Sequence, residues 1–493
     1  MATTIEKSTL QAHFNQFREN TIGAHLEFET PFGKKPLVYA DWTASGRLYS
    51  KIEDILKNDF GPLVGNTHTE TNYTGTSMTY AYHEAQHIIK RHVNAQEEDV
   101  LLPVGSGMTG ALAKLQRILG FKIPSPTKKY FVIPEEDRPV IFITHMEHHS
   151  NQTSWYETIA KVEIINPDEQ GLVDLVHFAE LLEKHKNSKV KIASVSSCSN
   201  VTGISTPYHQ IAKMVHQAGG WCFVDFSCSA PYVAIDMHPA DYDERLDAIF
   251  FSPHKFLGGP GTTGILIFNP TLYSPDQVPD QPGGGTVTWT NPWGEHQYYD
   301  DIQTREDGGT PAFLQTIKTA LCIKLKEKMG VEKILEREHE MVDRIFEKLL
   351  PIKNLHILAE NISDRLGVIS FYIDDLHYNL GVKLLNDRYG IQVRGGCSCA
   401  GTYGHYLLHV EKEYSNQITC KINQGDLTDK PGWIRMSIHP TMTDAELEYI
   451  LDGIVELANQ HQSWSKEYNY IPKENNFNHL QEKPVSVKGL FEL

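Results

Sequence analysis

The chain has no apolar run approaching the roughly 20 residues of a membrane-crossing helix. Its first stretch, Met1 to Asn20, is polar and mixed in charge. Neither a secretory leader nor a membrane span is expected, so the expected location is cytoplasmic. The sequence also has no basic excess: 45 Lys and Arg stand against 62 Asp and Glu, for a formal net charge of -17. A chain built to coat nucleic acid or anionic lipid usually carries a basic patch, and none is visible. The partners to expect are small molecules and proteins. Cysteine is scarce, with seven scattered residues, an odd number that makes no secreted disulfide framework. Cys397 and Cys399 are the one close pair, and no Cys-x-x-Cys or His cluster with zinc spacing accompanies them, so no metal is expected. There is no internal repeat. What remains is an ordinary globular composition, 40% hydrophobic, in 493 residues, enough for roughly two to four domains.

The middle of the chain alternates strand and helix patterns. Apolar runs predict strands at 100–104, 140–144, 162–165, 190–197, 221–225, 248–252 and 264–268. Between them lie helices near 111–118, 175–185 and 207–217, the last with Thr206 as cap and Pro207 at its first position. An amphipathic helix starts at Thr79, with Ala81, Ala85, Ile88, Ile89 and Val93 on its apolar face. Such alternation predicts a mostly parallel sheet with helices on both faces, and ligands gather at the carboxyl ends of its strands. The stretch 120–139, rich in Pro, Lys and Glu, reads as a surface insertion. Long helices at 313–329 and 331–350 lead to a second, smaller α/β domain. It has a strand at 368–373, a helix near 378–389, a Gly-rich loop at 393–401, a strand at 433–438 and a final helix capped by Thr443 and Glu446. The expected division is an N-terminal segment 1–36, a large domain 37–312, a small domain 313–462 and a loosely packed polar tail 463–493.

The strand ends carry the chemistry. After the apolar run Ala248–Phe251 the chain breaks into Ser252, Pro253, His254 and Lys255 and then a glycine cluster. A lysine at a strand end can become a nucleophilic amine, as a Schiff base requires, although alone it reads as an ordinary solvated ammonium. Asp225 ends the preceding apolar strand, one crossover earlier. Gly105 to Gly110 form a glycine turn that opens a helix, whose free N–H groups suit a phosphate. Pyridoxal 5′-phosphate suits the whole set. Lys255 supplies the amine and Asp225 a carboxylate for the ring nitrogen. His148 stacks on the ring, and Met108, Thr109, Ser252 and His254 hold the phosphate. Taken singly, Asp225 also reads as a helix cap and His148 as a structural histidine.

The motifs Tyr39-Ala40-Asp41, Ser106-Gly107-Met108-Thr109, Glu147 to Asn151, Ser199 to Gly203, Asp225, Ser252 to Lys255, Gly309-Thr310-Pro311, Arg394 to Cys399 and Arg435-Met436-Ser437 occur in one order from about residue 37 to 455. In this order they resemble the class V aminotransferases, in particular the cysteine desulfurase and selenocysteine lyase branch. The resemblance implies the fold type I architecture of pyridoxal phosphate enzymes and a homodimer with active sites at the interface. It implies Lys255 as the residue that carries the cofactor, His148 as the stacking and proton-transfer residue, Asn200 near the ring hydroxyl and substrate, and Asp225 at the pyridine nitrogen. Thr310 would reach a phosphate in the partner subunit, and Arg435, with Arg394, would bind the substrate carboxylate. Cys399 matches the loop cysteine that carries sulfur away as a persulfide, for delivery to a sulfur-acceptor protein.

Two departures from the branch stand out. Cys228 replaces the glutamine of Asp-x-x-Gln, and Cys397 and Ser398 replace the histidines before the loop cysteine. The loop from Arg394 to Cys399 and the insertion before Gly432 are more similar to the aminotransferase-like domain of molybdenum cofactor sulfurases, though no further C-terminal domain is expected in this length. The leading expectation is a lyase or transferase that removes sulfur or selenium from L-cysteine or an analogue through Lys255 and Cys399. The alternatives are an aminotransferase, epimerase or elimination-type lyase that leaves the loop cysteine idle, and a fold-sharing protein that binds without turnover.

Overall fold

The structure, a computed structural model, describes residues 9–105, 107–481 and 485–492. The described residues divide into two compact units: a larger one within Asn20–Ile22 and Thr43–Glu336, and a smaller one of 9–19, Gly23–Trp42 and the described residues from Arg337 on.

The larger unit is built on a seven-stranded sheet. Its strands are β1 (Val100–Val104), β2 (Val140–Thr144), β3 (Lys161–Ile165), β4 (Lys191–Ser196), β5 (Trp221–Asp225), β6 (Ala248–Phe251) and β7 (Gly264–Phe268), in the order β1-β7-β6-β5-β4-β2-β3. Only β7 runs antiparallel to its neighbours. β2, β4, β6 and β7 are buried along their whole length, because helices cover both faces of a parallel sheet and leave no wet side. Ile143, Trp155, Phe223, Phe250, Leu266 and Leu112 meet in one core cluster. Each such side chain contributes about 1.5–3 kcal/mol by leaving water. The register aligns Asp225 with Ser196 on one side and with Phe250 on the other. The carboxyl ends of β4, β5 and β6 therefore lie side by side.

The longer helices of this unit include α1 (Tyr73–His92), α2 (Gly107–Ile118), α3 (His149–Tyr156), α4 (Leu175–Lys184), α5 (Tyr208–Gln217) and α6 (Phe313–Met329). α1 starts six residues before the apolar pattern does, because Asn72 caps it by accepting the Gly75 N–H. Its buried face centres on Met78, Tyr82, Ala85 and Ile89, with Ala81 and Ile88 at the margin. The expected cap of α5 is corrected: Pro207 is the cap residue and makes no side-chain capping bond. Proline supplies a fixed φ but no side-chain acceptor, and among the described residues the buried Thr206 hydroxyl has no hydrogen-bond partner. The 120–139 insertion carries two short 3-10 turns, Ser125–Tyr130 and Glu135–Asp137, with no buried residue in either.

The smaller unit holds an antiparallel sheet of β8 (Leu355–Ile357), β9 (Val368–Ile373), β10 (Arg394–Gly396) and β11 (Trp433–Ser437), ordered β8-β9-β11-β10. Beside it, Val38–Tyr39 pairs in parallel with Ile391–Gln392. Two helices, α7 (Tyr378–Tyr389) and α8 (Asp444–Trp464), belong to the same unit. α8 opens on the expected capping box, with Thr443 Oγ1 accepting the Glu446 N–H at 3.1 Å and Glu446 Oε2 accepting the Thr443 N–H at 3.0 Å. The tail departs from expectation. Tyr468–Ile471 and Asn476–His479 form a hairpin with Tyr468 and His479 buried, because the Tyr468 hydroxyl donates to Asp387 at 3.0 Å and its ring packs edge-on to His479.

Candidate active site

Lys255 ends the 3-10 turn Pro253–Lys255 that follows β6 directly, its N–H donating to the Ser252 carbonyl at 3.1 Å. Pro253 sets the turn and the glycines beyond it let the chain reverse. Gly46 fits against this turn so closely that a Cβ there would lie 1.9 Å from the Phe256 carbonyl oxygen, and its N–H donates to the His254 carbonyl at 2.9 Å. Lys255 itself is half-buried.

Asp225 ends the neighbouring β5, is 4% exposed, and accepts the Ser227 N–H at 2.8 Å. Burial raises its pKa above the usual carboxylate range, opposed by the Ser227 hydrogen bonds and by the positive charge of Lys255. That opposition ties the strand-end carboxylate to the strand-end amine electrostatically. His254 is pulled down to about 4, first by burial and then by Lys255, so its imidazole is neutral near pH 7.

The start of α2 meets the same turn. Gly107 has φ +61, and a Cβ on it would lie 2.8 Å from Ser252 Oγ and 4.0 Å from His254 Cδ2. The Met108 N–H donates to Ser252 Oγ at 2.8 Å, and Ser227 Oγ lies 3.4 Å from the same oxygen. Thr109 Oγ1 is 2.7 Å from Ser150 Oγ, and the Ser150 N–H donates to His148 Nδ1 at 3.1 Å. His148 therefore caps α3 through Nδ1, which fixes the ring and leaves Nε2 to carry the proton. Asn200 is 7% exposed in the turn after β4, where Ser199 Oγ accepts the Val201 and Thr202 N–H groups. The structure thus gathers Met108, Thr109, His148, Ser252, His254 and Lys255, with Asp225, at the ends of adjacent strands. Ser106, quoted in the same motif, lies outside the described residues.

Thr310 stands apart from this set, exposed in the loop after Glu306 where Asp307 accepts the Tyr82 hydroxyl at 2.7 Å. Arg394, Arg435 and Cys399 belong to the smaller unit. Arg435 is 3% exposed and the Arg394 side chain half-exposed, and both are ion-paired to Asp41. Ser398 and Cys399 have φ of 51 and 57, a left-handed turn closed by the Ala400 N–H on the Cys397 carbonyl at 2.9 Å, and Cys399 is exposed. Cys228, where the resembled branch has glutamine, is buried with its thiol 3.6 Å from the Ser199 carbonyl.

Two further residues, not marked out by the sequence pattern, hold this arrangement in place. Glu147 is 1% exposed beneath His148 and gathers Thr144 Oγ1 at 2.6 Å, Ser196 Oγ at 2.6 Å and Asn151 Nδ2 at 2.7 Å, so it locks the ends of β2 and β4 to α3. Burial raises its pKa against those donors. Asp41 is the other. Both sit inside quoted motifs, but nothing in the motif spelling says which neighbour is the partner.

Three features fit the donor set to pyridoxal phosphate. At the helix start a Cβ on Gly107 would lie 2.8 Å from Ser252 Oγ, so glycine there lets the helix N-terminus approach an anion closely. Ser252 accepts from Met108, so its own hydroxyl proton can point at that anion. The buried Asp225 carboxylate takes hydrogen bonds from Ser227 alone among the described residues, and a protonated ring nitrogen would complete it.

The chain matches the model of the aminotransferase class-V family over residues 38–450. A cysteine desulfurase of Haloferax volcanii is 25% identical over 390 residues, covering 77% of this chain and 83% of that protein. A probable cysteine desulfurase of Staphylococcus epidermidis is 28% identical over 377 residues, covering 76% and 85%. Among solved structures, the cysteine desulfurase of Thermococcus onnurineus NA1 superposes with a TM-score of 0.72 at 22% identity, over 90% of this chain and 98% of that one. An Escherichia coli cysteine desulfurase gives 0.69 at 20%, over the same shares, and both neighbours share the fold type I architecture expected from the sequence. With a family match across most of its length and a strand-end lysine, aspartate and glycine cradle in place, the chain belongs to the class-V aminotransferase family and is a pyridoxal 5′-phosphate-dependent enzyme.

Proposed function

We propose that the enzyme removes sulfur, or selenium, from L-cysteine or a close analogue and passes it to Cys399. The observation that carries this reading is the exposed Cys399 thiol on a left-handed turn, electrostatically coupled to Arg394. The names of the relatives support it.

Bound pyridoxal phosphate supplies an aldehyde and an electron-accepting ring that weaken bonds around the substrate's α carbon. Gly107, Met108, Thr109, Ser252 and His254 would hold its phosphate, and Asp225 would keep its ring nitrogen protonated. Lys255 would anchor the cofactor, release it to the substrate amine and then move a proton at the α carbon. His148, with Nδ1 accepting the Ser150 N–H, would stack through its ring face and transfer a proton through Nε2. Asn200 lies in the buried turn after β4, suited to a ring oxygen. Arg435, with Arg394, would bind the substrate carboxylate, a job the guanidinium fork suits. The Cys399 thiolate would attack the substrate sulfur. One S–S bond forms and one C–S bond breaks, the β carbon ends as a methyl group, and the products are alanine and a Cys399 persulfide with no outside oxidant.

In this reading the working form is a cytoplasmic homodimer, the exposed Thr310 serves the partner subunit's phosphate, and a sulfur-acceptor protein unloads Cys399. The deciding experiment is Cys399→Ala with L-cysteine as substrate. Alanine and protein-bound sulfane sulfur should both disappear while the cofactor stays bound. Undiminished sulfur transfer would remove Cys399 from the reaction.

A further inference from the structure

Arg394 and Arg435 lie directly opposite each other in the ladder between β10 and β11. Two like charges at opposed positions repel, and one of these is almost wholly buried. Asp41 resolves the conflict. Its Oδ2 accepts Arg394 Nε at 3.0 Å and Nη2 at 2.9 Å, and its Oδ1 accepts Arg435 Nη2 at 2.9 Å. The backbone brings it there: the Ala40 N–H donates to the Gln392 carbonyl at 2.9 Å, the Ser437 N–H donates to the Ala40 carbonyl at 2.7 Å, and Asp41 bridges to Ser437. One carboxylate oxygen thus goes to each guanidinium. Burial lowers the Arg394 pKa, and the hydrogen bond and charge of Asp41 more than restore it, with smaller contributions from Tyr39 and Cys399.

We propose that Asp41 is a specificity-determining residue: by cancelling one of two opposed guanidinium charges, it sets the arginine pair to accept a ligand with one carboxylate and to disfavour a second. A monocarboxylate brings the cluster to two guanidinium groups and two carboxylates, a balanced set. A side-chain carboxylate in the same ligand would be a third anion with no cation left. Asp41 also holds Arg394 by two of its nitrogens, so the arginine coupled to Cys399 has a fixed place. The inference rests on the reading of Arg435 as the carboxylate-binding residue.

The test is calorimetric titration of the holoenzyme with three amino acids: L-alanine, L-asparagine and L-aspartate, the last two nearly equal in shape and different in charge. Wild-type protein should bind L-asparagine at least roughly tenfold more tightly than L-aspartate. Asp41→Asn should reduce that ratio to within about threefold, and Asp41→Glu, which keeps the charge, should restore it. A role confined to holding the fold would weaken both ligands alike and leave the ratio where it was, and that result overturns the inference. Should Asp41→Asn not fold, the comparison passes to Asp41→Glu against Asp41→Ser, judged by the same ratio. The underlying reading has its own arm: L-alanine affinity that survives Arg435→Met shows that Arg435 does not take the carboxylate, whatever the Asp41 variants do.

Discussion

The Met108 N–H donates to Ser252 Oγ across 2.8 Å, so the start of α2 and the turn that bears Lys255 are joined by one buried hydrogen bond. The bond does two jobs. It fixes the helix start against β6, and it makes Ser252 an acceptor from the protein, which in the proposed reading leaves its proton for the cofactor phosphate.

Replacing Ser252 with Ala should therefore act twice. The buried Met108 N–H loses its acceptor, a cost of about 1–3 kcal/mol to the fold. The phosphate loses a donor, and cofactor affinity should fall roughly tenfold or more, since about 1.4 kcal/mol is a factor of ten. Urea unfolding of the apoprotein reads the first effect and fluorescence titration with pyridoxal phosphate the second. Unchanged cofactor affinity would detach Ser252 from the phosphate site.

Asp225 should show the opposite balance between stability and activity. Its carboxylate is buried with few donors and its pKa is raised by that burial, so in the absence of cofactor the charge is a burden. Asp225→Asn keeps the shape and removes the charge, and the apoprotein should be as stable as wild type or more so. Turnover should drop at least roughly a hundredfold, because an amide cannot keep a pyridine nitrogen protonated, and groups that tune reacting charge carry about 3 kcal/mol or more. An unfolding midpoint together with a steady-state rate decides the matter. A destabilised, fully active variant would contradict both halves.

The sheet was legible because its strands are short apolar runs, and four of the seven strands carry the bounds read from sequence. The lysine, the aspartate and the glycine turn were legible for the same reason: each stands where such a run ends. What could not be read was partnership across the chain. The Asp41–Arg435 pair spans 394 positions and Ser252–Met108 spans 144, and periodicity within a window says nothing about either. Composition alone reads the tail as loose, and it is not. Its polar spelling hides Tyr468 and His479, which alternate to one face only once the hairpin register is set. The left-handed turn at Ser398 and Cys399 was equally hidden, since neither residue announces a positive φ as glycine does.

His439 supplies a pH test confined to the smaller unit. It stacks on Trp42 with centroids 4.1 Å apart, its Nδ1 lies 2.7 Å from Thr441 Oγ1, and it is 1% exposed. Burial lowers its pKa to about 3. An unfolded histidine titrates near 6.5, so between those values the unfolded chain binds the extra proton and the folded one does not. The stability His439 confers is complete above about pH 6.5 and is lost as pH falls toward 3, by about 1.4 kcal/mol per unit. From pH 7 to pH 5 the loss is about 2 kcal/mol. His439→Asn keeps a polar group beside Thr441 and cannot titrate. It should be less stable than wild type at pH 7, because the stack on Trp42 is gone, yet the gap should narrow by about 2 kcal/mol at pH 5. His92, His145 and His254, each lowered to about 4 by burial first, titrate alike in both proteins and cancel in the comparison. Urea unfolding at the two pH values, followed by the fluorescence of the Trp42 environment, measures the gap directly, and a gap independent of pH would mean that burial does not shift the titration of His439.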